Sequence, residues 1–413
     1  RDSIKFEPIN PAPPVIITLF LFIKNSINKI YIMKKIIPFN KPLIYGQESK
    51  FLKKLFLINE FSGNGFYTQK CSNWIKKNLK CKDALLVNSC TAALEMCALL
   101  LNIKEDDEII MPSYTFVSTA NAFTLRGGKP VFIDIDPNTL NIDPEKIEKA
   151  ITKKTKAIVI VHYAGISCDL EKIIKIKNKH KIYLIEDAAQ ALLSNYKKKP
   201  LGSFGDLATI SFHDSKNIHC GEGGALLINN SKFIKKSKII RDKGTNRNLF
   251  NRKKISKYSW VGLGSSYSLS ELNAAFLYAQ LLNAKKITNF RKKIFFLYNK
   301  KFKELEKRKC IIRPTIPKNS STNGHIYYIH VPKIERKKII SYLKQKLINS
   351  VFHYIPLHNS KFGKKNSITK SDMSYTIEKS KSILRLPLFY GIKKQEILHI
   401  CKTIQNYFNE RDK

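Results

Sequence analysis

Three stretches of this chain bring together residue types that could do chemistry on a carbonyl carbon. The first is SFHDSKNIHCGEGGALLIN, residues 211–229. An apolar run ends at Ser211, a polar loop presents His213, Asp214 and Lys216, and the turn Gly221-Glu222-Gly223-Gly224 opens another apolar run. A lysine just beyond the carboxyl end of a parallel strand sits where open α/β sheets bind ligands. Burial or a neighbouring cation would strip its proton and make it a nucleophile. In a chain with 74 Lys and Arg, spacing alone equally allows a solvated loop lysine.

The second stretch is IYLIEDAAQALLS, residues 182–194, where four apolar residues run straight into Glu186 and Asp187. A carboxylate at the end of a buried strand can pair with a protonated heterocycle nitrogen, or simply cap the next helix. The third is VNSCTAALEM, residues 87–96, in which Ser89, Cys90 and Thr91 open a helix. Free N–H groups and the positive end of the helix dipole make such a start a phosphate site, although an ordinary N-cap has the same signature.

The elements that must position these residues alternate in type. Strands are expected at 84–87, 108–111, 130–133, 157–161, 182–185, 207–211 and 225–228, and helices at 89–101, 115–125, 144–150 and 170–177. This βα alternation predicts an α/β domain with a mostly parallel sheet and helices on both faces, spanning 65–283. Beyond it, 284–413 reads as a smaller α+β domain: a Lys-rich helix over 286–308, a strand HIYYIHV, a helix 336–347, a strand VFHYIPL and a last helix 394–408. Residues 33–64 are expected to pack on that smaller domain. Residues 1–32 read as an extension preceding a start at Met33. Their apolar run Val15–Ile23 is shorter than the roughly 20 residues that span a bilayer, and no small-x-small cleavage site follows it.

The net charge of +42 would suit a binder of nucleic acid or another anionic surface. The basic residues, however, are mostly Lys, travel with Ile and Asn along the whole chain, and form no stripe with interleaved aromatics. That is the signature of A/T-rich coding, and no specific nucleic-acid or membrane partner is expected. Whatever its origin, a positive field attracts anionic substrates. The eight cysteines make no CxxC pair and no zinc spacing, so they read as reduced cytoplasmic thiols packed as small apolar residues, and no metal is expected.

Taken together and in this order, the phosphate-helix start, EDAAQ, SFH-x-x-K-N and GEGG resemble the DegT/DnrJ/EryC1/StrS sugar aminotransferases, from about Ile36 to Phe408. That resemblance implies the aspartate-aminotransferase fold, type I among enzymes that use pyridoxal 5′-phosphate, and a homodimer with shared active sites. It implies that Lys216 carries the cofactor and shuttles the proton of transamination. Asp187 would pair with the pyridine nitrogen, Gln190 would contact the ring's phenolic oxygen and Phe116 would stack on the ring. Ser89, Cys90, Thr91 and Ser211 would surround the phosphate. Many members carry Asn in the segment matching 264–268, where it reaches the neighbouring subunit's cofactor phosphate; here Ser266 and Ser268 would take that place. His353, Tyr354 and His358 of VFHYIPLH are implied near the sugar nucleotide, with His213 and Arg247 as further substrate candidates. The stretches MPSYTFVSTANAFTLRG, VHYAGISCD, IRDKGTNR and LRLPLFY are most similar to members that aminate a nucleotide-linked 4-keto-6-deoxy sugar with L-glutamate as donor.

Overall fold

The computed structural model describes residues 36–251 and 253–411. The apolar run 15–23 and the expected start at Met33 lie outside them. Along the described chain we number α1 (Glu48–Ile58), α2 (Phe66–Leu79), β1 (Asp83–Val87), α3 (Cys90–Leu100), β2 (Glu108–Pro112), α4 (Val117–Thr124), β3 (Lys129–Ile133), α5 (Pro144–Ala150), β4 (Thr155–Val161), α6 (Leu170–His180), β5 (Tyr183–Asp187), β6 (Leu207–Ser211) and β7 (Gly224–Ile228). There follow α7 (Glu271–Leu282), α8 (Ala284–Lys301), β8 (Tyr327–His330), α9 (Arg336–Gln345), β9 (Ile368–Thr369), β10 (Ile383–Leu386) and α10 (Lys394–Arg411).

Eight strands form one sheet in the order β1-β7-β6-β5-β4-β2-β3-β9. The pairs from β6 across to β9 are parallel, and β7 runs antiparallel to both of its neighbours. The sheet is therefore mixed at one end. Its central strands are buried on both faces, which is why they read as continuous apolar runs. Alternation along each strand feeds two cores. Ile110, Ile158 and Ile160 enter one, while Ile109, Met111 and Val159 enter the other.

The C-terminal body packs α8, α9 and α10 around the antiparallel pair β8–β10. Tyr298, Phe302 and Tyr327 stack at its centre. Two expectations need correcting. The N-terminal segment divides its contacts: Ile37 bridges to Ile348 in the C-terminal body, whereas α1 lies on α7 and sends Leu55 into the large core. The amphipathic face of α1 finds a larger apolar partner there. The stretch VFHYIPL forms no strand either. Only Val351 pairs, with Arg385, and Pro356, which has no N–H to donate, leads into a single 3-10 turn at Leu357–Asn359.

Candidate active site

The carboxyl ends of β5 and β6, the start of α3 and strand β10 surround a cavity of about 400 Å³. Eleven sequence-derived candidates line it: Ser89, Cys90, Thr91, Phe116, Asp187, Gln190, Ser211, His213, Lys216, His353 and Tyr354.

At the start of α3, Ser89 is extended and its Oγ accepts from Ala92 N at 3.0 Å, capping the helix. The N–H groups of Cys90 and Thr91 lie in the first turn, with no carbonyl four residues back inside the helix. They are donors for an anion. Strand β7 begins against this turn at Gly224, where an added Cβ would fall 2.5 Å from Cys90 N. Burial pushes the Cys90 thiol up to about 12, with the Asp187 charge adding to it, so a neutral sulfur adjoins the anion site.

Asp187 ends β5 and is buried. Thr119 Oγ1 donates to its Oδ2 at 2.7 Å, Ala189 N donates to Oδ1 at 3.1 Å, and Thr119 in turn bonds Thr115 Oγ1 at 2.8 Å. Burial raises its pKa, and Thr119, Ala189 and Lys216 hold the rise back. Beside it, Glu186 is fully buried and accepts from the N–H groups of Gly202, Phe204 and Gly205 at 2.6–2.8 Å, and from His162 Nε2 at 2.9 Å. Burial alone would raise Glu186, but His162 and these backbone donors keep it below its ordinary value. Glu186 thus ties the end of β5 to the 202–205 turn while Asp187 faces the cavity.

Lys216 lies in the β6–β7 connection and lines the cavity. Burial lowers the pKa of its amine and Arg385 adds to this, while Cys90 and Asp187 oppose it. Gln190 is held at both ends of its amide: Oε1 accepts from Ala164 N at 2.7 Å and Nε2 donates to Tyr354 Oη at 2.9 Å. His353 stacks on Tyr354 with ring centroids 3.7 Å apart and bonds Tyr163 Oη through Nδ1 at 2.6 Å. His213 stands at the mouth, bonded to Ser215 Oγ at 2.8 Å and close to Asp214 and Glu222.

Four candidates do not line the cavity of their own chain. His358 Nδ1 is bonded to Ser113 Oγ at 2.7 Å, behind the wall. Arg247 lies on a short helix with its guanidinium 5.9 Å from the Tyr258 ring, so its charge is spent at the surface. Ser268 Oγ donates to the Asp242 carboxylate at 3.0 Å, and Ser266 pairs with Asp242 in a β-bridge. Sequence reasoning also missed residues on the wall: Thr119, Arg291, His325 and Arg385. A signal for Arg385 was present, since LRLPLFY was singled out without its arginine.

The chain matches the DegT/DnrJ/EryC1/StrS aminotransferase family over residues 47–405. It belongs to that family. Its cofactor is pyridoxal 5′-phosphate, and the wall fits that group: an anion site at the start of α3, a buried carboxylate at Asp187 and a lysine with a lowered pKa. Among curated relatives, it is 36% identical to an uncharacterized protein of Methanocaldococcus jannaschii, covering 83% of this chain and 90% of that one. It is 31% identical to the spore coat polysaccharide biosynthesis protein SpsC of Bacillus subtilis, covering 91% and 98%. It is 29% identical to GDP-perosamine synthase of Escherichia coli O157:H7, covering 91% and 100%. A PLP-form structure of the putative sugar aminotransferase Spr1654 from Streptococcus pneumoniae superposes with a TM-score of 0.81 at 26% identity, covering 89% of this chain and 97% of that one. The aminotransferase has no helix, among its described residues, long and apolar enough to cross a membrane.

Proposed function

We propose that this aminotransferase converts dTDP-4-dehydro-6-deoxy-D-glucose to dTDP-4-amino-4,6-dideoxy-D-galactose, with L-glutamate as amino donor. This is the transamination that supplies enterobacterial common antigen. The observation that carries a transaminase reading is the joint placement of Lys216 and Asp187 on one cavity wall, each with its charged state disfavoured by burial. The particular sugar rests on the sequence stretches that run through both bodies of the chain.

When bound, pyridoxal phosphate supplies an electron sink for the carbon that bears the transferred amine. The chain's own residues do the rest. Lys216 as free amine takes a proton from one carbon and returns it to another, which its lowered pKa allows nearer neutrality. Asp187, held by Thr119 and Ala189, offers a fixed carboxylate oxygen to a ring N–H. Cys90 and Thr91 offer backbone donors to a phosphate. Tyr354, with Gln190 and His353 fixing it, presents a phenol at the opposite wall.

A homodimer completes the reading. Leu125 and Leu263 line one shallow groove and are 70% and 59% exposed, and Phe116 on the cavity wall is 57% exposed. A second copy covering this surface would bury apolar area and close the site. A GDP-linked substrate of the perosamine type is the second reading, favoured by the relative of that name.

The test is the visible spectrum of the purified protein. The expected result is an absorbance band in the visible that glutamate discharges, and a Lys216→Ala variant with no turnover. Product resolved from its C4 epimer, with dTDP- and GDP-linked keto sugars offered in parallel, decides the sugar. A colourless protein that stays colourless with added cofactor overturns the proposal.

A further inference from the structure

Two polar side chains on the cavity wall, His353 and Tyr354, are wired to one short turn after β4. The segment Tyr163–Gly165 is a single 3-10 turn in which Ala164, a residue with a Cβ, holds φ +55°. That left-handed angle is uncommon outside glycine and persists only where the surroundings fix it. Here they do. Buried Asn141 staples the turn at both ends: its Oδ1 accepts from Tyr163 N at 2.9 Å, and its Nδ2 donates to Ile166 O at 3.1 Å. Ser194 Oγ donates to Gly165 O at 2.6 Å. Gly165 lies so close to Asn323 that an added Cβ would fall 2.2 Å from its Oδ1.

The turn assigns hydrogens as well as positions. Ala164 N can only donate, so the Gln190 atom that meets it at 2.7 Å is the oxygen, and Nε2 is left to donate to Tyr354 Oη at 2.9 Å. The phenol oxygen accepts there. Its own O–H has no acceptor among the described residues, which leaves that hydrogen for a ligand. Tyr163 does the same for His353. Its Oη meets His353 Nδ1 at 2.6 Å, and Tyr114, its ring 5.3 Å away, adds no hydrogen bond of good geometry. Burial keeps the Tyr163 phenol protonated, well above its ordinary value. Burial, then the charges of Arg385 and Lys216, hold the His353 imidazole well below its ordinary value, so it is neutral. A neutral imidazole has one lone pair and one N–H. A buried hydroxyl hydrogen without an acceptor costs free energy, so Tyr163 donates to Nδ1 and Nε2 carries the ring's hydrogen. His353 stacks on Tyr354 with centroids 3.7 Å apart, so the two donors stand side by side.

We infer that Tyr163, on a turn stapled by Asn141, is a positioning residue that sets the polarity of this wall, so that His353 and Tyr354 both present hydrogens to oxygens of the keto sugar. This rests on the keto-sugar reading above and deepens it. The charged groups of an amino-acid donor call for ions, whereas two neutral donors suit hydroxyl and carbonyl oxygens. Tyr163 therefore acts in the half-reaction that consumes the sugar.

Tyr163→Phe removes one hydroxyl and keeps the ring. In single turnovers of the cofactor-loaded enzyme the half-reactions are followed separately, by loss of the visible band with glutamate and its return with dTDP-4-dehydro-6-deoxy-D-glucose. The expected result is a sugar half-reaction slowed about tenfold, the worth of one neutral hydrogen bond, and an unchanged glutamate half-reaction. In a His353→Phe background the same substitution should add nothing, because Tyr163 acts through His353. Equal slowing of both half-reactions gives Tyr163 a merely structural role and overturns the inference. So does an unchanged sugar rate, or a full effect in the His353→Phe background. The imidazole nitrogen-15 spectrum of the wild-type holoenzyme, with His353 assigned by its loss in His353→Phe, is the second measurement: hydrogen on Nε2 is expected, and hydrogen on Nδ1 overturns the inference. Should Tyr163→Phe fail to retain the visible band, that spectrum decides. A wild type that glutamate discharges but the keto sugar does not restore sinks the sugar reading, and the assignment of these donors to a sugar falls with it.

Discussion

At the scale of single residues, burial works against the charged forms of both Asp187 and Lys216. Asp187 shows how this is controlled. Its pKa is raised by burial, and the Thr119 hydroxyl is the first brake on that rise. Replacing Thr119 by Val removes a hydrogen bond to a charged group, an interaction of about 1.5–3 kcal/mol. With that donor gone, the folded-state pKa of Asp187 moves further up and the carboxylate form is lost at higher pH. The expected outcome is a kcat lower by roughly ten- to a hundredfold and an acid limb of the kcat–pH profile displaced toward neutrality. A profile measured across the acidic range checks both, and an unmoved limb would show that Asp187 does not depend on this hydroxyl. The sequence showed Asp187 at a strand end, but Thr119 lies 68 residues away and no local pattern ties the two together. Arg385 lies inside the motif LRLPLFY, but the surroundings that hold its side chain come from residues near 352 and from Phe39, far apart along the chain.

At the scale of elements, the GEGG turn joins the lysine loop to β7, and its glycines have separate tasks. Gly221 has φ +80° with open space around its Cα, so it serves a left-handed turn. Gly224 serves close approach, because any side chain would strike the first turn of α3 at Ser89 and Cys90. Gly224→Ala is expected to cost about 2 kcal/mol by overpacking and to weaken cofactor retention. Gly221→Ala should cost about 1 kcal/mol through its backbone angle alone and leave retention intact. Denaturant midpoints and the visible band separate the two effects. The strands and helices up to residue 228 were legible because doubly buried strands write unbroken apolar runs, and Ser89 wrote its cap in plain view. VFHYIPL misled by the same rule, since its Phe352 and Ile355 are exposed at 51% and 67% and belong to no strand. The pairing of β9 is two residues long, too short to leave any pattern.

At the scale of the whole molecule, the change of pattern after α7 marked the second body, and the charge of +42 marked composition spread along the chain. What the sequence could not show was how the bodies share surfaces, because α1 satisfies an amphipathic helix equally well on either. The same applies to the exposed groove of Leu125 and Leu263, proposed as the seat of a second copy. Leu263→Glu would place a buried charge in that interface, so it should shift the protein from dimer to monomer in light scattering and lower cofactor affinity with it. A variant that stays dimeric with an intact visible band would move the interface elsewhere.

The edge strand β9 has one more implication, for the order in which a ribosome delivers this chain. The parallel ladder that covers β3 joins Val131 to Ile368, and beside it the Asp134 carboxylate receives the N–H groups of Tyr375 and Thr376. Until those residues emerge, a nascent sheet carries an open row of peptide groups at β3 and, at Asp134, a buried acid that lacks two of its backbone donors. Unpaired edges invite pairing with other chains. Yield during biosynthesis should therefore hinge on the emergence of residues 368–376, and chaperone demand should peak before they appear.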